Sequence, residues 1–266
     1  ADPDPARGER PLTHELPVDV ALGKVDYYEV LGFVDDFWAT LKVWYRLLNC
    51  GFRLPAGAGT DAMANFASLR GPVGLNRVFV KTGGSLDHDA FLAGLKAGRT
   101  FASNGPLLEL SLGGKEPGDE IRLPQGKHRL QARVAMKSIV PVDHLEIVAN
   151  GLVVASVPLG GDGTQASATV GLRVSQSGWY TLRAWSKRPR WPVLDLFPLA
   201  TTSPIYVTVG DQPIRSAEDA RFFLAWIDRL VATARQHESW NSEAEETATL
   251  ALLAQAREVY ALRSLP

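Results

Sequence analysis

From His128 to Lys137 the chain alternates without a break: Leu130, Ala132, Val134 and Met136 fall on one side, Arg129, Gln131 and Arg133 on the other. A period of two is the signature of a half-buried strand and does not fit a helix face, so this stretch must lie in a sheet with one side covered. Similar runs follow at Leu145 to Ala149 and Leu152 to Val157, joined by Asn150-Gly151, a strong two-residue hairpin signal. Leu107 to Leu112, Thr169 to Val174, Trp179 to Trp185 and Ile205 to Val209 complete the set. About seven short strands within roughly 100 residues, separated by Gly, Pro and Ser turns, predict an antiparallel β-sandwich over 106–210.

The flanks carry a different rhythm. Asp36 to Asn49 places Phe37, Leu41, Trp44, Leu47 and Leu48 at helical spacing, closed by Gly51. Val25 to Leu31, Leu54 to Gly59 and Arg77 to Lys81 read as strands, and Ser85 is the expected cap of a helix that stops at Gly98. Strand alternating with helix predicts parallel α/β architecture over 1–105, with too few units to close a sheet. Residues 211–266 predict a helical hairpin. Ser216 with Asp219 and Ser242 with Glu245 resemble capping boxes, while Phe223, Trp226, Ile227 and Leu230 line one helix and Ala248, Leu252, Leu253, Ala256, Val259 and Tyr260 the other. Those stripes need a surface, either the sandwich or a second subunit, so self-association through these helices is one expectation.

Several function classes are disfavoured. Lys and Arg total 28 against 29 Asp and Glu, so no overall field favours nucleic acid or an anionic membrane. The basic run Lys187, Arg188 and Arg190 is broken by Pro189 and reads as a solvated loop. No apolar run approaches the ~20 residues of a membrane span. Cys50 is the single cysteine, with no histidine nearby in sequence to form a thiolate. The compartment is open. The opening residues, Ala1 to Gly8, lack Met and the apolar core of a signal peptide, and suggest a chain cut from a longer one.

His14, His88, His128, His144 and His237 form no HxH, HxxH or HExxH spacing. Gly57-Ala58-Gly59 lacks the third glycine of a dinucleotide loop, and an acid follows where phosphate-binding amides should open a helix. What remains is Gly59-Thr60-Asp61. A strand of small residues ending there places a carboxylate at the strand's C-terminal edge, where parallel α/β folds build their sites. Asp61 then suits a divalent cation or the orientation of a water, or else it caps the following segment.

The run Trp44 to Pro55, followed by Ala58-Gly59-Thr60-Asp61-Ala62-Met63-Ala64-Asn65, resembles the CehA/McbA-type (carbaryl-hydrolase-like) metallohydrolases of the PHP superfamily. Ser68 to Gly74, Gly98 to Pro106 and Thr202 to Val207 are similar too, so the resemblance covers nearly the whole chain. It implies that 1–105 is the C-terminal part of a distorted β/α barrel with divalent metals, zinc or manganese, at its strand ends. It further implies that Asp61 is a late metal ligand, with an early His-x-His pair upstream of Ala1. The superfamily often has a ligand His two residues after that Asp, where this chain has Met63, a poor ligand for such cations. Asn104, Arg70 and Arg99 become candidate substrate contacts, the arginines for an anionic group. Glu29 and His14 are further candidates to face the site.

The expected function is thus the C-terminal portion of a hydrolase in which a metal-activated water cleaves an ester, amide, carbamate or phosphoester of a small molecule, inactive as this fragment. The alternative is a non-catalytic β-sandwich that binds a partner or a second copy of itself.

Overall fold

A computed structural model describes residues 15–32, 36–62, 72–84, 87–193 and 196–265. In chain order the elements are α1 (Leu16–Ala21), β1 (Tyr28–Leu31), α2 (Phe37–Asn49), β2 (Ala56–Ala58), β3 (Arg77–Val80), α3 (His88–Lys96), β4 (Thr100–Ser103) and β5 (Leu107–Leu112). There follow β6 (Glu120–Leu123), β7 (His128–Lys137), β8 (His144–Ala149), β9 (Leu152–Ser156), β10 (Gln165–Val174), β11 (Gly178–Trp185), β12 (Leu199–Thr202) and β13 (Ile205–Val209). The helices α4 (Ala217–Arg235) and α5 (Glu243–Ser264) close the chain.

The alternating run His128–Lys137 forms the middle strand of a three-stranded antiparallel sheet, ordered β10-β7-β5. A second, larger sheet runs β3-β4-β12-β11-β13-β6, with β8 and β9 joined to it through β11. It is antiparallel except where β13 meets β6. Leu110, Val134, Met136 and Leu172 of the small sheet pack against Leu145, Ile147, Leu182 and Val207 of the large one. Asn150 and Gly151 both take positive φ, 50° and 85°, as the tight turn between β8 and β9 requires.

β11 is buried on both faces, and so it lacks the clean alternation of β7. Its Leu182 faces the small sheet, while Trp179 faces a second core made with α2, α4 and α5. The helical pair covers that core: Phe223, Ile227, Ala256 and Tyr260 are fully buried, and the Tyr260 hydroxyl donates to the Pro17 carbonyl at 2.9 Å. Leu252, expected on the buried stripe, is about half exposed. Ser216 and Ser242 accept from the amides of Asp219 and Glu245, both at 3.2 Å, as the capping pattern predicts.

The chain is thus mixed α/β, with antiparallel sheets and two C-terminal helices. Parallel pairing in the first part is confined to β1 and β2, and no closed barrel exists among the described residues. Strands β3 and β4, expected to continue a parallel unit, instead pair antiparallel with each other, and β4 pairs with β12. The physical reason lies in α3: this short helix turns the chain back beside β3 rather than carrying it across the sheet. Asp87, accepting from the Ala90 amide at 2.8 Å, caps α3; Ser85, the expected cap, lies outside the described residues.

Candidate functional site

The parallel pair β1–β2 sits against the large sheet through a small buried polar cluster. The Ser203 hydroxyl accepts from the Ala56 amide at 2.8 Å, Thr100 donates to the Ala56 carbonyl at 2.8 Å, and the two hydroxyls lie 2.6 Å apart. Helix α2 fixes the entry to β2, since the Trp44 indole donates to the Leu54 carbonyl at 2.9 Å. The amino end of β2 is therefore held from two sides.

Just past the carboxyl ends of the two strands, Gly32 and Gly59 meet two polar side chains, those of Glu29 and Asn76. Glu29 lies on the outer side of β1, and its carboxyl rests against Gly32 and Gly59. A Cβ added at either glycine would stand 2.8 Å from the Glu29 Oε1. Burial between these backbones raises the Glu29 pKa above the ordinary carboxylate value, while a hydrogen bond from the Gly59 amide pulls partly the other way. The glycines are thus a condition of the acid's placement. Alanine at either would displace it.

Asn76 ties the strand ends together. Its Nδ2 donates to the carbonyls of Gly32 at 3.3 Å and Gly59 at 3.1 Å, and its amide donates to the Thr60 hydroxyl at 3.3 Å. Pointing the NH2 group at two carbonyls fixes which end of the amide is oxygen. That Oδ1 has no hydrogen-bond partner although the residue is only 6% exposed. A buried amide oxygen left unpaired costs about 1–3 kcal/mol.

Asp61 follows two residues after Gly59, exposed, with φ of 51°. Left-handed backbone is uncommon outside glycine, though Asp tolerates it better than most, and such residues concentrate where a site needs a particular orientation. Asp61 is engaged in an interaction of its own. The oxygens of Glu29, Asp61 and Asn76 are each hard donors of the kind a divalent cation takes. Among the described residues, no three His, Cys, Asp or Glu side chains come close enough to form a metal group.

The other candidates do not join this cluster. Asn104 is buried and fully committed: its Nδ2 donates to the Phe197 carbonyl at 3.0 Å, and its Oδ1 accepts from the Leu199 amide at 2.8 Å. It clamps the entry to β12. Arg99 is exposed just before β4, where its carbonyl accepts from the Lys81 amide at 2.9 Å, at the far end of β3 from Asn76. Arg70, Met63 and His14 lie outside the described residues.

The remaining histidines are dispersed: His128 bonds the Pro124 carbonyl, His144 stacks on Trp185 at 4.1 Å, His88 pairs with Asp89, and His237 meets Trp240 edge-on. Burial pushes the Cys50 thiol up to about 12, helped by nearby Asp219, which keeps it protonated at neutral pH. Among the described residues, no helix is long and apolar enough to cross a membrane.

Sequence reasoning missed Asn76, because a lone Asn in Leu75-Asn76-Arg77 carries no spacing signal. Its role comes from the distant Gly32 and Gly59 carbonyls. Glu29 was legible only as an acid close to a strand end. Set against protein-family models, curated proteins and solved structures, the chain matches none.

Proposed function

We propose that this chain is the C-terminal portion of a metal-dependent hydrolase of the CehA/McbA type, with Asp61 among its metal ligands. One observation carries the reading: Glu29 and Asn76 both meet Gly32 and Gly59 just past the carboxyl ends of β1 and β2, and Asp61 follows β2 in the chain. Strand ends of this kind are where α/β folds place their chemistry.

These oxygens fit a hard or borderline cation such as zinc or manganese but supply only part of a shell, the rest of which other residues would provide. Such a cation, when bound, lowers the pKa of a coordinated water toward ~7 and polarises the ester, amide, carbamate or phosphoester to be cleaved. The chain's own part is to present Asp61 in a fixed left-handed turn. Glu29, with its raised pKa, holds a proton more readily than an ordinary glutamate, which suits proton transfer next to a reacting water. Asn76 keeps the two strand ends at a constant separation.

The second reading, a non-catalytic binding or oligomerisation module, draws on the two-sheet core, which is complete without any of these residues. Substituting Asp61→Ala in the full-length protein separates the two. Turnover of a small ester or carbamate should fall by several orders of magnitude if Asp61 is a ligand, with the melting temperature nearly unchanged. Undiminished turnover would remove Asp61 from the mechanism, and unaltered partner binding with no turnover in either protein would favour the module.

A further inference from the structure

On the outward face of the small sheet the residues opposite the core are mostly short. Ser111, Arg133 and Thr169 form one cross-strand row, and Glu109, Ala135 and Ser167 the next. A cleft of about 990 Å3 lies over them, bounded on one side by the ends of β3 and β4. That volume is of the size used for small organic ligands.

The wall and the floor differ in chemistry. Phe79 and Phe101 stack at 4.6 Å with their planes 7° apart, so the wall is a rigid apolar surface that stays only partly covered. Five charged side chains line the cleft: Lys81, Arg99, Arg133, Glu109 and Glu116. Lys81 is neutralised by an ion pair with Glu116. Arg99 and Arg133 have no such partner among the described residues, and the one remaining acid, Glu109, sits a row away from Arg133 in the strand register. The cleft therefore keeps an excess of positive charge beside a flat apolar wall.

We infer that this cleft binds a small organic anion with a planar apolar body, such as an aromatic carboxylate, its acid group meeting Arg99 and Arg133 and its ring lying along Phe79 and Phe101. Guanidinium is suited to a carboxylate because its donors form two parallel charge-assisted hydrogen bonds. A flat hydrocarbon beside the acid loses little by leaving water for an aromatic wall. The cleft opens at the Lys81 and Arg99 end of β3, roughly 16 Å along the strand from Asn76, so the inference does not rest on the metal reading. It gives Arg99 a different task from contact with a substrate at Asp61.

Biphenyl-4-carboxylate serves as the probe, titrated calorimetrically into the intact chain, with biphenyl-4-carboxamide and acetate as controls. The expected result is saturable one-site binding with a Kd below about 1 mM. Arg99→Gln and Arg133→Gln should each weaken it about fivefold or more, and higher salt should weaken it further. Both arginines are exposed, so the melting temperature should hold. Ser167→Trp, which fills the exposed floor, should abolish binding whatever the share of each arginine. Absence of saturation, equal affinity for the carboxamide, or wild-type affinity in Arg99→Gln/Arg133→Gln or in Ser167→Trp would overturn the assignment.

Discussion

Two buried asparagines leave the β3–β4 ladder at the same end, just past its last pair, Arg77 with Ser103, and they are used in opposite ways. Asn104 belongs to the sandwich side and spends both ends of its amide on the backbone before β12. Asn76 belongs to the parallel strand ends and spends only its NH2, leaving a buried oxygen unpaired. The same contrast holds for the charges around them. The buried Glu146 of β8 is matched by Arg183 at 2.6 Å and Trp185 at 3.1 Å, whereas Glu29 faces glycines and its pKa is raised by burial. Glu146 and both ends of the Asn104 amide are paired, whereas the Asn76 Oδ1 is not. A buried polar atom without a partner is uncommon enough to call for an explanation.

Perturbing the two regions should therefore give different signatures. The largest effect is expected in the satisfied core. Leu182→Ala, at a fully buried position between the sheets, should destabilise the protein by about 2–5 kcal/mol in denaturant unfolding. Asn104→Ala comes next, at about 2–4 kcal/mol, because it strands the Phe197 carbonyl and the Leu199 amide together. Asn76→Ala should cost less, about 1–2 kcal/mol, since its oxygen contributes no bond. An Asn76 loss as large as that at Asn104 would break the comparison.

These contrasts were only partly legible in the chain itself. β7 announced itself because one face is covered and the other wet, and the Asn150-Gly151 turn because its backbone demands positive φ. β4 and β12 did not: each has four residues, almost all buried, so neither shows a period. Their place depends on Thr100 and Ser203 meeting Ala56 across the fold, which no local pattern encodes. Asp61 was readable from Gly-Thr-Asp after small residues, and Glu29 in part. Asn76 was not, and Arg99, a candidate substrate contact from the resemblance, lies at the end of β3 away from Asn76.

The smallest effect sharpens the comparison most. Because burial raises the Glu29 pKa, ionising it works against the folded state: the folded protein is relieved of this burden below the ordinary glutamate pKa and bears it fully once pH rises through the raised value. Glu29→Gln should therefore raise the melting temperature slightly at pH 7–8, with the gain fading as pH falls toward about 4. A variant less stable than wild type at neutral pH would show that the carboxylate is held by a favourable partner.

The central claim, that the parallel strand ends hold oxygens reserved for a cation, is tested most directly by titrating this chain with manganese and following the free ion by electron paramagnetic resonance. The account predicts weak, saturable binding of one ion that weakens as pH falls and is lost in Asp61→Ala, while Asn104→Ala, refolded and checked for structure, binds as wild type does. Equal manganese affinity in wild type and Asp61→Ala, or no binding at millimolar ion in either, would contradict it.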